Sequence, residues 1–212
     1  MLFYRELSSQ LQRLGFKPHP LEPCIHYLES WKDGERILHG VLGTHVDDGI
    51  CGGDHIFHQK LESLKQRLPF GSFKQRKFVF TGIQLEQLPD HSIVASQQDY
   101  VHGILSIEIG KHRRNCPEQP ANEAEKSALR GLIGSIQYAV THTRPDLASK
   151  LGEIQVQISQ PTIQTLMTAN KLLREAQETS DTRICFRSIS VPQVTHVVFG
   201  ESLDPLVLSR DP

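Results

Sequence analysis

The sequence predicts an α+β fold: antiparallel hairpins with helices packed beside them, followed by a mostly helical segment. Three observations carry this. Phe3, Leu7, Leu11 and Leu14 recur at helical spacing near the start. Turn dipeptides such as Asp33-Gly34 then separate short extended runs. Past residue 122, apolar stripes of period 3.6 take over, as in Leu129, Leu132, Ile133, Ile136 and Val140.

The first helix ends at Gly15, where a C-terminal cap belongs. Cys24–Trp31 and Arg36–Val46 read as strands of a hairpin turning at Asp33-Gly34, with Leu38, Leu42 and Val46 expected on one face. The chain turns again at Asp47-Asp48-Gly49 and returns through Ile50 and Cys51. Asp54 is placed to cap a helix whose buried stripe is Phe57, Leu61, Leu64 and Leu68. Phe73–Gln87 reads as one long strand, with Phe78 and Phe80 on one face and Val79, Ile83 and Leu85 on the other. A turn at Pro89-Asp90-His91 leads into the strand Ser92–Ser96, and a helix is expected over Gln97–Ile107. Lys111–Asn122, polar and with two prolines, reads as a linker. Pro145 and Pro161 are placed to open two more helices, and Arg183–Ile189 and Val194–Phe199 return to strand.

Composition narrows the class. Lys+Arg number 23 against 24 Asp+Glu, a net charge of −1 that excludes a uniformly basic nucleic-acid coat. No apolar run is long enough to span a bilayer, and the first residues meet a charge too early for a signal peptide. Cys24, Cys51, Cys116 and Cys185 are widely spaced and read as free thiols, which predicts an intracellular protein of cytoplasm or nucleus with no membrane partner.

The chemically suggestive stretch is Gly43-Thr44-His45-Val46-Asp47-Asp48-Gly49. Adjacent carboxylates on a hairpin repel unless a divalent cation sits between them, and Mg²⁺ prefers such oxygens while keeping waters that a phosphate can displace. Asp-Asp-Gly is also ordinary turn chemistry. Between residues 111 and 150, seven Lys/Arg face four Asp/Glu, a local excess that could track a nucleic-acid backbone or simply solvate a helix. His112 and Cys116 have ligand-like spacing, but no second pair completes a zinc site.

The order of these pieces resembles the C-terminal part of a reverse transcriptase from a copia-type LTR retrotransposon polyprotein, with gaps, from about Tyr4 to Ser202. Leu11-x-x-Leu14-Gly15-Phe16 and the following Pro23-Cys24 look like that family's helix and its entry into the palm. Thr44-His45-Val46-Asp47-Asp48 looks like its Tyr-Val-Asp-Asp hairpin, and Phe80-Thr81-Gly82-Ile83 is similar to its primer-grip strand. Ser96-Gln97-Gln98-x-Tyr100-Val101-x-x-Ile104-Leu105 resembles its thumb helix. The block from Leu129 to Tyr138, with Thr143-Arg144-Pro145-Asp146-Leu147-Ala148, is close to its connection segment.

The resemblance implies a partial palm, an antiparallel sheet with helices on one face, over residues 1–88. A thumb-like segment and linker follow over 89–122, a helical connection over 123–182 and the start of a ribonuclease H-like domain over 183–212. It implies Asp47 and Asp48 as catalytic Mg²⁺ ligands, with His45, Val46, Phe80 and Gly82 beside an RNA/DNA template-primer. The chemistry implied is attack of a primer 3′-hydroxyl on the α-phosphate of a dNTP. His45 replaces the family's usual Tyr, and Thr81 its usual Leu. Glu201 stands at a vestigial ribonuclease H position, where the family has its first metal-binding Asp.

The family's remaining palm aspartate and its fingers precede the helix that begins here, so the chain alone is expected to be inactive and, with an open sheet edge and bare apolar faces at Leu38, Leu42 and residues 73–87, poorly soluble. Two other readings are a non-enzymatic remnant that binds nucleic acid or a partner, and a decayed element with no selected function. The checking measurement is primer extension on poly-rA/oligo-dT with Mg²⁺. No incorporation is expected from the chain alone; incorporation abolished by Asp47→Asn would reverse that expectation.

Overall fold

The computed structural model describes residues 2–46, 48–68 and 71–188, together with the backbone of 197–198 and 206–207. The fold is α+β, with two four-stranded antiparallel sheets among the described residues. The chain divides into two compact units, Met1–Gln75 and Arg76–Pro212, each with its own apolar core.

The first unit opens with α1 (Leu2–Arg13), which Gly15 ends at φ +95°. The sheet runs β1 (Lys17–Pro18), β2 (Ile25–Lys32), β3 (Glu35–His45) and β4 (Asp48–Gly53) in that order, and α2 (His55–Arg67) follows. Asp33 (φ 52°) and Gly34 (φ 85°) both take the left-handed conformation, as a two-residue hairpin turn demands. Asp54 caps α2 through Phe57 N–H (3.0 Å). Leu7, Leu11, Phe16, Leu28, Leu42, Phe57, Leu61 and Leu64 are buried together, so both helices cover one face of the sheet.

Leu38, Leu42 and Val46 do not share that face. The β2–β3 register shifts between Leu28, opposite Gly40, and Glu29, opposite Leu38, leaving His39 as an extra residue in a bulge. The bulge reverses side-chain parity: His39 and Leu42 turn inward and are buried, while Leu38 stays 58% exposed. The bare face expected at Leu42 is therefore covered. Asp54 N–H donates to His39 O (2.8 Å), and the imidazole reaches both Ser30 and Asp54. One residue thus ties the bulge to β2 and to the start of α2.

Residues 73–87 also differ from the expected single strand. Thr81 (φ 48°) and Gly82 (φ 79°) fold them into a hairpin of β5 (Lys77–Phe80) and β6 (Ile83–Gln87). With Phe80 opposite Ile83 and Phe78 opposite Leu85, these four side chains share one face, not two. Thr-Gly hides the turn because threonine is a poor left-handed residue. β7 (Ile93–Ser96) and β8 (Ile184–Phe186) complete this sheet in the order β5-β6-β7-β8.

The rest of the second unit is helical. α3 (Gln98–Gly103) stops well short of Ile107, because side-chain amides hold residues 104–107 in a non-helical path. Asn170 Oδ1 accepts from Ile107 N–H and its Nδ2 donates to Ile107 O (both 2.8 Å), and Gln177 donates to Val101 O and Ile104 O. Asn170 and Gln177 sit on α7 (Ile163–Glu178), reached through α4 (Lys111–Arg114), α5 (Glu123–His142) and α6 (Ala148–Gln155).

The polar stretch 111–122 is packed structure and not a loose linker. Arg113 forks onto Glu125 (3.0 and 2.6 Å) and also donates to Gln119 and Pro120 O. Glu125 closes a capping box with Asn122 at the start of α5. Pro145 does open a helical turn before α6, whereas Pro161 precedes Thr162, the N-cap of α7.

Among the described residues, Arg144 is the largest fully buried side chain. Its Nε and Nη2 hold Asp146 in a fork (3.0 and 2.8 Å), Nη2 donates to Thr179 Oγ1 (2.7 Å), and Nη1 donates to Ala176 O (3.0 Å) at the end of α7. The guanidinium holds the Asp146 carboxyl below the usual carboxylate range. Lysine cannot reproduce this fork. Arg144→Lys is expected to cost about 3 kcal/mol, read as a lower denaturation midpoint in urea.

A second buried group is expected to make the first unit sensitive to acid. His26 on β2 is fully buried beside Ser8, its Nδ1 lacks a partner, and burial lowers its pKa. The fold therefore holds the neutral ring. Its stabilising effect is complete above the unfolded-state pKa of about 6.5 and is lost as pH falls below that value toward the lower folded one. His26→Leu is expected to flatten the dependence of thermal midpoint on pH just below 6.5.

Candidate functional site

The site predicted from sequence lies on the β3–β4 hairpin, and paired glycines at its base set its position. Gly40 pairs with Gly53. A Cβ on either would enter the Phe57 ring and come within 2.6 Å of backbone, at Gly52 O for Gly40 and at His39 O for Gly53. The ring of α2 thus rests directly on two bare backbones, and the hairpin projects from that seat. Pairs then run Val41–Gly52, Leu42–Cys51, Gly43–Ile50, Thr44–Gly49 and His45–Asp48.

Parity places each candidate. Gly40, Leu42 and Cys51 face the helices, and burial raises the Cys51 thiol pKa. Val41, His45, Asp48 and Ile50 take the opposite face, with Tyr27 and Trp31 of β2. Trp31 is 66% exposed there. His45 and Asp48 are exposed cross-strand partners, so their side chains leave the sheet together. Asp47 and Glu201 lie outside the described residues.

Val46, at the tip, has φ +57° and is 80% exposed. A β-branched residue there is a steric outlier costing about 1–2 kcal/mol. Strain of this kind is found where presentation of neighbouring groups matters. Thr44 secures the strand below by donating through N–H and Oγ1 to Cys24 O (2.9 and 3.1 Å).

Phe80 and Gly82 belong to the second unit, on either side of Thr81 in the β5–β6 turn. Tyr138 of α5 donates its hydroxyl to Thr81 O, and its ring lies below Gly82. Tyr100 meets Tyr138 edge-on at 5.1 Å, and His142 stacks obliquely at 4.4 Å. Sequence reading placed Tyr138 in a motif block without a role; its use as the prop of this turn emerges only from tertiary contact.

Among the described residues, no group of three or more His, Cys, Asp and Glu converges as metal ligands. Asp48 contributes a hard carboxylate to the hairpin tip, and the His45 nitrogen beside it is a donor that Mg²⁺ disfavours. Four of the basic residues of 111–150, Arg113, Lys126, Arg144 and Lys150, pair with Glu125, Glu123, Asp146 and Glu175. Among the described residues, no helix is long and apolar enough to cross a membrane. Comparison with known proteins returned no matching family model, no matching curated protein and no matching solved structure.

If Val46 is held left-handed by the hairpin, an Asn there relieves strain without changing the turn. Val46→Asn is expected to raise stability by about 1 kcal/mol, measured as a higher thermal midpoint.

Proposed function

We propose that this chain is the palm, thumb and connection part of a reverse transcriptase from a copia-type retrotransposon, an RNA-directed DNA polymerase. The supporting observation is the hairpin tip: a strained Val46 beside paired His45 and Asp48, carried on the sheet face opposite α1 and α2. A polymerase needs its carboxylates on such a face, because a nucleic-acid duplex requires an open surface while the helices seal the other side. The ordered motifs from Leu11 to Ala148 give this hairpin its family reading.

On this reading Asp47 and Asp48 would hold Mg²⁺, which when bound supplies charge to the transferring phosphate and lowers the pKa of the primer hydroxyl. The protein's own residues do the positioning. Gly40 and Gly53 seat the hairpin on Phe57, and His45 stands opposite Asp48. In the second unit Tyr138 holds the Phe80–Gly82 turn.

The test extends the chain. Genomic DNA upstream of Met1 is expected to encode, in frame, a palm strand bearing a further aspartate. The extended protein is then expected to incorporate dTTP on poly-rA/oligo-dT with Mg²⁺, and Asp47→Asn or Asp48→Asn to reduce incorporation at least 100-fold. A folded, template-binding extended protein that incorporates nothing would refute the reading.

A further inference from the structure

Ser30, His39 and Asp54 form a hydrogen-bonded series in the first unit that the polymerase reading does not use. His39 Nδ1 lies 2.7 Å from Asp54 Oδ2, and its Nε2 lies 2.8 Å from Ser30 Oγ. His39 is buried, whereas Ser30 is exposed. Hydrogen bonds from the imidazole and from Phe57 N–H hold the Asp54 carboxyl below the usual carboxylate range. An ionised carboxylate can only accept, so Nδ1 carries the ring proton. In the neutral ring the Nε2 lone pair faces Ser30 Oγ. Nucleophile, base and orienting carboxylate stand in the order that activates a serine.

The arrangement is preorganised by backbone. Ser30 lies on β2 opposite Ile37, His39 is the bulge of β3, and Asp54 is the N-cap of α2. Asp54 N–H bonds His39 O, and Asp54 Oδ1 accepts from Phe57 N–H, so the carboxylate and the ring are fixed by more than their mutual contact.

We propose that Ser30 is an activated nucleophile that takes up acyl or phosphonyl groups from activated electrophiles. Ser30 Oγ attacks the carbonyl carbon or the phosphorus, and its proton passes to His39 Nε2. The bond to the leaving group breaks, and phenolate or fluoride departs with the electron pair. The imidazolium returns its proton to that anion or to water, leaving an ester on Ser30. Aryl esters and fluorophosphonates fit a serine standing open on a sheet, because their leaving groups depart without a second acid. General-base activation of this kind is worth about 10²–10⁴-fold.

The test treats the full chain with a biotinylated fluorophosphonate at neutral pH and maps adducts by peptide mass spectrometry. Ser30 is expected to react at least tenfold faster than the exposed Ser127 and Ser149. Asp54→Asn and His39→Gln are each expected to slow that reaction at least tenfold. Asn caps a helix as well as Asp does, so Asp54→Asn separates orientation of the base from folding; circular dichroism checks the fold. A wild-type Ser30 no faster than Ser127 overturns the proposal, as does a folded Asp54→Asn protein that labels at the wild-type rate. The result is independent of polymerase activity, since none of the three residues belongs to that reading.

Discussion

The ring of Phe57 lies on the Gly40–Gly53 pair, and the first unit is organised around that contact. Two backbones without side chains let α2 approach the sheet closely enough for Phe57, Leu61 and Leu64 to reach Leu28 and Leu42. Asp54 starts the helix one residue after Gly53, so the cap and the seat fix both the origin and the approach of α2. The β3–β4 hairpin extends the same two strands outward. Its orientation follows from this base, and the strain at Val46 is borne by a rigid ladder beneath it.

Around that seat, His39 on β3 adds polar links to β2 and to the start of α2. A bulge commonly ends or bends a strand. Here it also turns a histidine inward, where Ser30 and Asp54 satisfy both ring nitrogens. The fold thereby avoids the cost of a buried, unpaired ring nitrogen, a cost that His26 does bear at Nδ1. The same reversal gives the sheet two distinct surfaces: a sealed one beneath the helices, and an open one with Trp31, His45 and Asp48.

The second unit is held differently. Its helices meet over apolar stripes, but side chains bonded to backbone fix the path between them. Arg144 closes the end of α7, Asn170 and Gln177 bind residues 101–107, and Arg113 gathers the turn before α5. The Arg144 clamp satisfies a buried carbonyl, at Ala176, that would otherwise lack this partner. The Thr143–Asp146 run, read at first as part of a motif block, is chiefly such a clamp.

Sequence alone determined whatever depends on neighbours along the chain. The Asp33-Gly34 turn, the Asp54 cap, the Gly15 stop and the stripes of α2, α5 and α7 follow from local dihedral preferences and helical spacing. The order of the motifs, from which the proposed function is argued, is likewise a property of the sequence alone. Tertiary structure decided what depends on register. Whether Leu38 and Leu42 share a face turns on one extra residue at His39, and whether Phe78 and Leu85 do turns on a reversal at Thr81-Gly82. Neither was legible, because a one-residue shift between strands reverses every side chain beyond it while leaving the composition of both strands unchanged. The partners of Arg144 and His39 were hidden for the same reason: they come from elements whose meeting only packing decides.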